Sequence, residues 1–296
     1  MELRVINYFL TVAQEGNITR AANILHITQP TLSRQLMDLE AELNTTLFTR
    51  GKRQITLTED GILFQQRAKE IIGLVRKTKD EFYNQSCLTG GVISIGLIES
   101  RSSRIMMDFI ADFRERYPDV RFDFYNGYSD DIKEKTDKGI IDLGLLLEPV
   151  EFSKYDFFRL NIEEVWGVIM SRNDPLSKRE YISTDELIQK PLILPRRANV
   201  FNEVTNWLAV PDDSLDIIAT NDLLSNSIYL IEKGLAYSVS IADTIAEHNN
   251  PEISFVPLSP RRSYKSVIVW RKNCIINTPT RIFLKEFKTY IQNNTF

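Results

Sequence analysis

A short segment near the N-terminus combines a proline with side chains that can hydrogen-bond a partner; its members are Thr28, Gln29, Pro30, Thr31, Ser33 and Arg34. Apolar residues repeat within and after it at steps of four, three and four, and these are Leu32, Leu36, Leu39 and Leu43. This period places the leucines on one buried face of a helix, with the polar side chains exposed around its start. Amide and guanidinium groups there can reach base edges in a DNA major groove. We predict that Gln29 and Arg34 contact bases and that the rest of the segment shapes the approach.

The elements that must position this helix precede it in the chain. A first helix is predicted over residues 2–15, with Ile6, Phe9, Leu10 and Ala13 facing inward. Ala21, Ala22 and Leu25 then give a second, short helix one small and apolar face. Pro30 suits the beginning of the third helix, because its fixed φ matches and the missing N–H would be unpaired there. Two short helices joined by a tight turn, the second with an exposed polar start, form a helix-turn-helix.

A basic cluster follows in a predicted strand–turn–strand. Leu47-Phe48 and Ile55–Leu57 have strand character, and Gly51 supplies the turn between them. We predict that this wing presents Arg50, Lys52 and Arg53 to phosphates or to the minor groove. The first sixty residues hold six basic and seven acidic side chains, so their net charge is −1. Local rather than net charge must therefore supply the phosphate contacts, and we expect modest affinity for non-specific DNA.

Thr58 begins a long predicted helix that extends to about Gln85, with acidic residues in its first turn. Its apolar positions alternate steps of four and three; they are Phe64, Ala68, Ile71, Val75, Thr78 and Phe82. Such a narrow seam is typical of two helices that pack together. We favour dimerisation through Phe64, Ala68, Ile71, Val75 and Phe82. The alternative is a helix that lies on its own domain.

The segment from Met1 to Gly61 closely resembles the LysR-type transcriptional regulators. The matching stretches are MELRVINYFLTVAQEGNITRAA, TQPTLSRQLMDLEAELNTTLFTR and RQITLTEDG. Asp60 is a departure, since the family usually has Ala before Gly61. The resemblance covers essentially the whole chain, with strong motifs only in the first sixty residues. It implies dimerisation through the long helix and a two-lobed effector domain similar to periplasmic solute-binding proteins, with the chain crossing between lobes twice.

After Gly91, predicted strands and helices alternate. Strands are predicted at Val92–Ile98, Val120–Tyr125, Ile140–Leu147, Trp166–Met170, Leu192–Leu194, Asp216–Ala219, Ala236–Ser240 and Val267–Trp270. Helices are predicted at Ser102–Tyr117, Asp130–Lys138, 184–190, 199–208, 222–233 and Pro279–Gln292. The β-α-β-α-β order at the start of this region predicts a parallel sheet covered by helices on both faces.

The predicted fold is α+β overall: a winged helix-turn-helix, a linker helix and a two-lobed α/β effector domain. The boundaries expected from the sequence are 1–58 for DNA binding, 59–87 for the linker and dimerisation helix, and 92–296 for the effector domain. Lobe I is expected to comprise 92–161 and 265–296, and lobe II 162–264.

Polar loops follow several predicted strands, where ligands of open α/β sheets bind. The loops are Glu99–Ser103, Asn126–Ser129, Leu147–Pro149, Pro195–Arg197 and Thr220–Asp222. Candidate effector contacts are Ser100, Arg101, Ser102, Ser103, Asn126, Glu148, Arg196 and Asn221. N–H groups and hydroxyls at a helix start suit an anion or carboxylate, and the family resemblance places an effector between the lobes, with Ser100–Ser103 in the ligand loop. The alternative for Ser102 and Ser103 is helix capping without ligand contact.

Composition fits an ordinary soluble protein, with 43% hydrophobic and 26% charged residues and a net charge of −4. We expect no signal peptide, no membrane span and a cytoplasmic location. Cys87 and Cys274 lack metal-like spacing, so reduced thiols are expected. His26 lies in the helix-turn-helix and His248 in a polar loop, and neither accompanies a metal or nucleophile motif. We predict no catalytic residues, metal or cofactor.

The sequence therefore predicts a bacterial LysR-type regulator that binds an interrupted palindromic operator in double-stranded DNA. Its expected partners are a small-molecule effector that is an anion, further copies of itself as a homodimer or homotetramer, and RNA polymerase. The alternative hypothesis is a cytosolic α/β solute-binding or enzymatic protein whose N-terminal domain only mediates interaction.

Overall fold

The computed structural model describes residues 1–50, 55–83, 90–209, 211, 214–242, 250–294 and 296. The chain divides into two compact units, Met1–Ser86 and Cys87–Phe296. Each unit has its own apolar core among the described residues. The two units are described separately below.

The N-terminal unit contains four helices and a two-stranded ribbon. The elements are α1 (Leu3–Glu15), α2 (Ile18–Ile24), α3 (Gln29–Glu42), β1 (Phe48–Arg50), β2 (Ile55–Leu57) and α4 (Glu59–Tyr83). In α1 the buried side chains are Val5, Ile6, Phe9 and Val12, whereas Leu10 and Ala13 are only partly buried. Phe9 stacks edge-on with Phe64 of α4 at 4.7 Å between ring centroids. This aromatic contact joins α1 to α4, the first and last helices of the N-terminal unit.

The helix α3 follows the predicted apolar period for three of its four leucines. Leu32, Leu36 and Leu39 are buried at 2% exposure or less. The prediction for Leu43 was wrong, because α3 ends at Glu42 and Leu43 is the C-cap, with 36% of its surface exposed. Thr28 is the N-cap, and its hydroxyl accepts the Thr31 N–H at 3.4 Å. The turn before α3 is made by His26 in a left-handed conformation, with φ of 55°.

The strands β1 and β2 pair antiparallel, with Thr49 opposite Thr56. Glu40 ties this ribbon to α3, because its carboxylate accepts the N–H groups of Leu47 at 2.7 Å and Phe48 at 3.1 Å. The turn residues 51–54, which include Gly51 and the predicted phosphate contacts Lys52 and Arg53, lie outside the described residues, as does the side chain of Arg50.

The C-terminal unit is built on one mixed sheet. Its strands are β3 (Gly91–Leu97), β4 (Val120–Asn126), β5 (Leu143–Leu147), β6 (Tyr155–Ser171), β7 (Ile182–Ser183), β8 (Leu192–Pro195), β9 (Ile217–Asn221), β10 (Tyr237–Ile241), β11 (Ile253–Ser259) and β12 (Ser263–Arg271). Its helices are α5 (Arg101–Arg116), α6 (Ser129–Asp137), α7 (Ala198–Leu208), α8 (Ile228–Glu232) and α9 (Thr278–Asn293), with 3₁₀ turns at Pro175–Lys178 and Thr184–Leu187. The order along the sheet is β4-β3-β5-β12-β6-β10-β8-β9, and β11 pairs with both β6 and β7.

The long strand β6 belongs to both halves of this sheet. Its first part, 155–165, pairs with β12, and its second part, 166–171, pairs with β10 and β11. One core packs on the first half and draws its buried residues from 93–162 and 267–291. Two further clusters pack on the second half and lie within 166–258. The chain therefore passes between the halves once within β6 and once between β11 and β12.

Several sequence-based element predictions differ from this structure. The sheet is mixed, since β12 lies antiparallel between β5 and β6. Only the buried end of β6 was predicted, because residues 155–165 alternate exposed and buried positions and carry four charges. Strand β11 was missed. The helix predicted at 184–190 is a short 3₁₀ turn, and α8 begins at Ile228, not at residue 222.

Two glycines of α4 give opposite predictions for the same substitution. A Cβ on Gly61 would lie 2.1 Å from the carbonyl oxygen of Leu47, whereas a Cβ on Gly73 meets nothing within 4 Å. Gly61→Ala should lower the free energy of unfolding of this unit by about 1–3 kcal/mol, as overpacking does. Gly73→Ala should raise it by about 1 kcal/mol through helix propensity. Urea unfolding followed by circular dichroism measures both, and equal shifts in one direction would contradict the contact between Gly61 and Leu47.

Candidate functional site

The start of α3 carries the exposed polar surface that the sequence predicts. Thr28, Gln29, Pro30, Thr31 and Arg34 are exposed, and Ser33 is partly buried. The Thr28 and Thr31 hydroxyls lie 2.8 Å apart and bond each other. Leu32 and Leu36 hold α3 in the core, so that Arg34 on the opposite face and Gln29 at the first position of the helix are exposed on a rigid support. This arrangement can present an amide and a guanidinium group to a groove of DNA.

The predicted dimerisation seam lies partly against its own unit. Ala68 is fully buried, and Phe64 and Ile71 pack on the same core as α1 and α3. Val75 is partly buried, and the side chain of Phe82 lies outside the described residues. Exposed apolar side chains of α4 occur elsewhere, at Ile62, Leu63 and Leu74. The four-three spacing of Phe64, Ala68 and Ile71 therefore reflects packing within the unit.

A cavity of about 310 Å³ lies in the C-terminal unit between the two halves of the sheet. Its walls come from the segments that follow β3, β4, β5, β8 and β9, together with β6, β10 and β12. We call it the cleft. Ile98, Leu147 and Val239 supply part of an apolar lining, and Trp166, Tyr128 and Tyr264 supply aromatic rings. A mainly apolar cavity with a few polar groups at strand carboxyl ends is typical of a small-molecule site.

The serine-rich start of α5 binds a carboxylate of the protein itself. Ser100, Ser102 and Ser103 are buried at 3%, 0% and 6% exposure. The carboxylate of Glu164 in β6 accepts the N–H groups of Arg101 at 3.1 Å and Ser102 at 2.9 Å. It also accepts the Ser102 hydroxyl at 2.7 Å and the Ser266 hydroxyl at 3.1 Å. The helix N-terminus that the sequence offered to a ligand anion thus holds a protein carboxylate.

The remaining hydroxyls of this segment are also engaged locally. Ser100 is the N-cap of α5, and its hydroxyl accepts the Ser103 N–H at 3.2 Å. The Ser103 hydroxyl donates to the Ile98 carbonyl. Ser100–Ser103 is not among the described residues that line the cleft. Capping, the alternative kept for Ser102 and Ser103, accounts for the contacts of this segment.

The other predicted effector residues divide between the cleft and the surface. Glu148 and Asn221 line the cleft. Asn126 and Arg196 are exposed and, within the described part of the chain, do not line it. Arg196 forms an exposed ion pair with Asp222 at 3.4 Å. Its neighbour Arg197 is the arginine that lines the cleft, a distinction of one residue that strand boundaries predicted from sequence could not make.

Two contacts join the halves of the unit across the cleft. The Tyr128 hydroxyl donates to the Asn221 carbonyl at 3.1 Å, and Arg197 forms an ion pair with Asp130. Burial lowers the pKa of the Arg197 guanidinium and raises the pKa of the Tyr128 hydroxyl. Lys133 also pairs with Asp130, at 2.6 Å. Tyr128 lies in the predicted ligand loop Asn126–Ser129 but was not named as a contact, and Asp130 was not predicted, because Asn221 and Arg197 are more than sixty residues away in the chain.

Acidic side chains outnumber basic ones in the cleft wall. The carboxylates are Glu99, Asp130, Glu148, Glu203 and Asp222, and the cations are Lys133 and Arg197. Glu148 pairs with Arg159 at 2.6 Å. Glu203 accepts the Tyr264 hydroxyl, and burial raises the pKa of its carboxyl group, while the charge of Arg262 opposes that rise.

Within the described ranges, no three His, Cys, Asp or Glu side chains are grouped so that they could hold a metal ion. In the same ranges, no helix is both long and apolar enough to cross a bilayer.

Comparison with known proteins identifies the family. The family model for the bacterial regulatory helix-turn-helix protein of the lysR family matches residues 3–62, and the model for the LysR substrate binding domain matches residues 88–292. The chain belongs to the LysR family of transcriptional regulators. The family prediction and the predicted fold class are confirmed. The chain is thus a DNA-binding transcriptional regulator with a substrate-binding domain.

Full-length relatives show the same organisation. The chain is 27% identical to the HTH-type transcriptional regulator BsdA of Bacillus subtilis over 292 residues, which cover 97% of this chain and all of BsdA. It is 28% identical to the Hca operon transcriptional activator HcaR of Escherichia coli, with 92% of both chains covered. The structure of full-length CbnR in complex with its target DNA matches with a TM-score of 0.76, at 22% identity over 98% of this chain and 99% of CbnR.

Substitutions of two neighbouring glutamates of β6 test whether Glu164 stabilises the N-terminus of α5. Glu164→Leu in this LysR-family chain leaves four donors in α5 and β12 without their acceptor, at about 1–3 kcal/mol for each buried donor. It should therefore lower the free energy of unfolding by at least about 3 kcal/mol. Glu163→Leu removes only an exposed ion pair with Arg261 and should cost less than about 1 kcal/mol. Denaturant unfolding compares the two, and equal losses would contradict the role of Glu164.

Proposed function

We propose that this LysR-family regulator binds an interrupted palindromic operator and changes promoter output when a small molecule occupies the cleft. We assign DNA binding to residues 1–58, dimerisation to 59–87 and effector binding to 92–296, with lobe I at 92–161 and 265–296 and lobe II at 162–264. The assembly is a homodimer or homotetramer, it acts in the cytoplasm, and RNA polymerase is a further partner. The protein is a regulator without enzymatic activity.

The exposed start of α3 is the observation that carries the DNA-binding part of this proposal. Its polar side chains surround a helix N-terminus whose opposite face is buried. We assign base contacts to Gln29 and Arg34. Arg50, Lys52 and Arg53 hold phosphates or reach the minor groove beside the site, which supplies local positive charge to a unit of low net charge.

The effector site in this proposal is the cleft. Its support is a mainly apolar cavity bridged by the Tyr128–Asn221 and Arg197–Asp130 contacts. The sequence favours an anionic effector, and Lys133 and Arg197 are the cleft cations that such an effector would use. Ligand binding shifts an equilibrium between assembly states only by its difference in affinity for those states.

A solute-binding or enzymatic protein with an interaction-only N-terminal domain is the second candidate. A gel-shift with random genomic fragments separates the two proposals. The regulator retains a small set of fragments as salt is raised, whereas a protein without an operator releases all fragments together. Loss of every fragment at the same salt concentration would overturn the proposed function.

Arg34→Ala should weaken binding to a fragment selected in this way more than binding to a scrambled duplex. A base contact contributes about 1–3 kcal/mol of discrimination. Arg53→Ala should weaken both complexes by similar factors and lower the salt slope by about one, as expected for a phosphate contact. Fluorescence anisotropy at three salt concentrations measures these changes. Equal losses on both duplexes for Arg34→Ala would assign Arg34 to a phosphate.

Leu74→Glu should remove one association step without unfolding the chain. Leu74 is 46% exposed, so the substitution places a charge on a surface apolar side chain that we assign to the dimer interface. Lys69→Glu is the control, since Lys69 is exposed and lies about 140° around the same helix. Sedimentation velocity reports the assembly state. An unchanged assembly for Leu74→Glu would exclude this face of α4 from the interface.

A further inference from the structure

Two features of the cleft region that could bind an anion already hold a protein carboxylate. Glu164 occupies the N-terminus of α5. Asp130 pairs with both cleft cations, Lys133 and Arg197. A ligand carboxylate would have to compete with one of these carboxylates for the N-terminus of α5 or for an ion pair with Lys133 or Arg197. Among the described residues that line the cleft, carboxylates therefore outnumber cations, while the buried indole N–H of Trp166 is a donor without a hydrogen-bond partner.

Three acidic residues of the cleft wall form ion pairs, and Glu203 differs from them in this respect. Asp130 pairs with Lys133 and Arg197, Glu148 pairs with Arg159, and Asp222 pairs with Arg196. Glu203 accepts the Tyr264 hydroxyl, and the positive charge of Arg262 favours its charged form, but among the described residues no cation lies at ion-pair distance from it. A carboxylate can accept about four hydrogen bonds. Glu203 thus has acceptor capacity for a donor from a ligand.

The surroundings of Glu203 are suited to an apolar group carrying positive charge. Trp166, Tyr264 and Tyr128 line the same cavity. Aromatic faces attract cations, and the attraction grows when the cation is shielded from water. The partial burial that raises the pKa of the Glu203 carboxyl group disfavours its charged form, and a ligand cation offsets that cost. A cavity of about 310 Å³ has room for a ring with a short side chain.

We propose that the cleft binds a protonated amine with an apolar body, and that Glu203 is the counter-ion of its ammonium group. This inference rests on the proposed effector function and replaces the anion expected from the sequence. The aromatic and aliphatic wall holds the body of the ligand. The ammonium donates to Glu203, while Asp130 and Glu164 keep their present partners.

Three matched probes test the charge preference on the full-length chain. The probes are 2-phenylethylamine, 2-phenylethanol and 3-phenylpropionate, which share a ring and a short chain and carry positive, zero and negative charge at pH 7. Isothermal titration calorimetry measures their affinities. The amine should bind about ten-fold or more tightly than the alcohol, as a charge-assisted hydrogen bond predicts, and the carboxylate should bind weakest.

The variant Glu203→Gln assigns the preference to one residue. Glutamine keeps the size of the side chain and an oxygen that accepts the Tyr264 hydroxyl, but it removes the charge. The preference for amine over alcohol should fall to about two-fold or less, with the affinity for the alcohol nearly unchanged. Glu115→Gln is the control, because Glu115 is an exposed glutamate of α5 that does not line the cleft among the described residues. It should retain the full preference.

Three results would overturn the inference: tighter binding of the carboxylate, no saturable binding of the amine, or an unchanged preference in Glu203→Gln. None of them bears on DNA binding, which the genomic gel-shift measures without any probe. A chain that selects operator fragments but prefers the carboxylate would keep the proposed function and lose only the charge class. A chain that prefers the amine but releases all fragments together would lose the regulatory proposal.

Discussion

The contact of Glu164 with the start of α5 is the constraint on which the C-terminal unit depends. Glu164 is 1% exposed and lies on β6, the strand that both halves of the sheet share. A buried carboxylate is tolerated only when its charge is met by donors. Here the donors are backbone and hydroxyl groups of Arg101, Ser102 and Ser266, together with the positive end of the α5 dipole. One side chain therefore fixes a helix, the shared strand and β12 together.

This contact also determines what the neighbouring cleft can bind. A helix N-terminus next to a cavity ordinarily attracts anions. With Glu164 in place, the exposed donors of that terminus are already used, and the cleft wall presents side chains such as Glu203 and Glu148. The charge class of a ligand then follows from the acceptors that remain. The serine-rich sequence alone thus predicts that the start of α5 binds a ligand anion, whereas the structure shows that Glu164 already occupies this position.

Sequence reasoning succeeded where the determining contacts are local. The leucine spacing in α3 located the buried face through Leu32, Leu36 and Leu39, because helix period is a property of neighbouring residues. The helix start predicted at Pro30 differs by one residue from the structure, in which α3 begins at Gln29. Leu43 failed because the helix ends one residue earlier, and apolar periodicity does not mark that end.

Contacts between distant parts of the chain are what local patterns in the candidate sites do not indicate. Glu164 is 62 residues away from Ser102 in the chain, and nothing in either local pattern indicates that they meet. The seam in α4 shows the same limit. Its period correctly marks Ala68 and Ile71 as contact residues, but a period cannot say whether the partner surface belongs to the same unit or to a second copy. The structure shows that this part of α4 packs against the core that α1 shares, within the same unit.

The contacts across the cleft indicate how ligand binding affects the two halves of the C-terminal unit. Tyr128 and Asp130 at the start of α6 meet Asn221 and Arg197 from the other half of the sheet. These contacts are polar and partly buried, so opening the cleft exposes the Arg197 guanidinium and the Asp130 carboxylate to water and recovers hydration that burial removes. In the closed arrangement the gain from these contacts is therefore opposed by the loss of hydration. A ligand that fills the apolar wall and leaves Asp130 paired adds its contacts to the closed arrangement alone, and the shift it produces equals that difference in binding free energy.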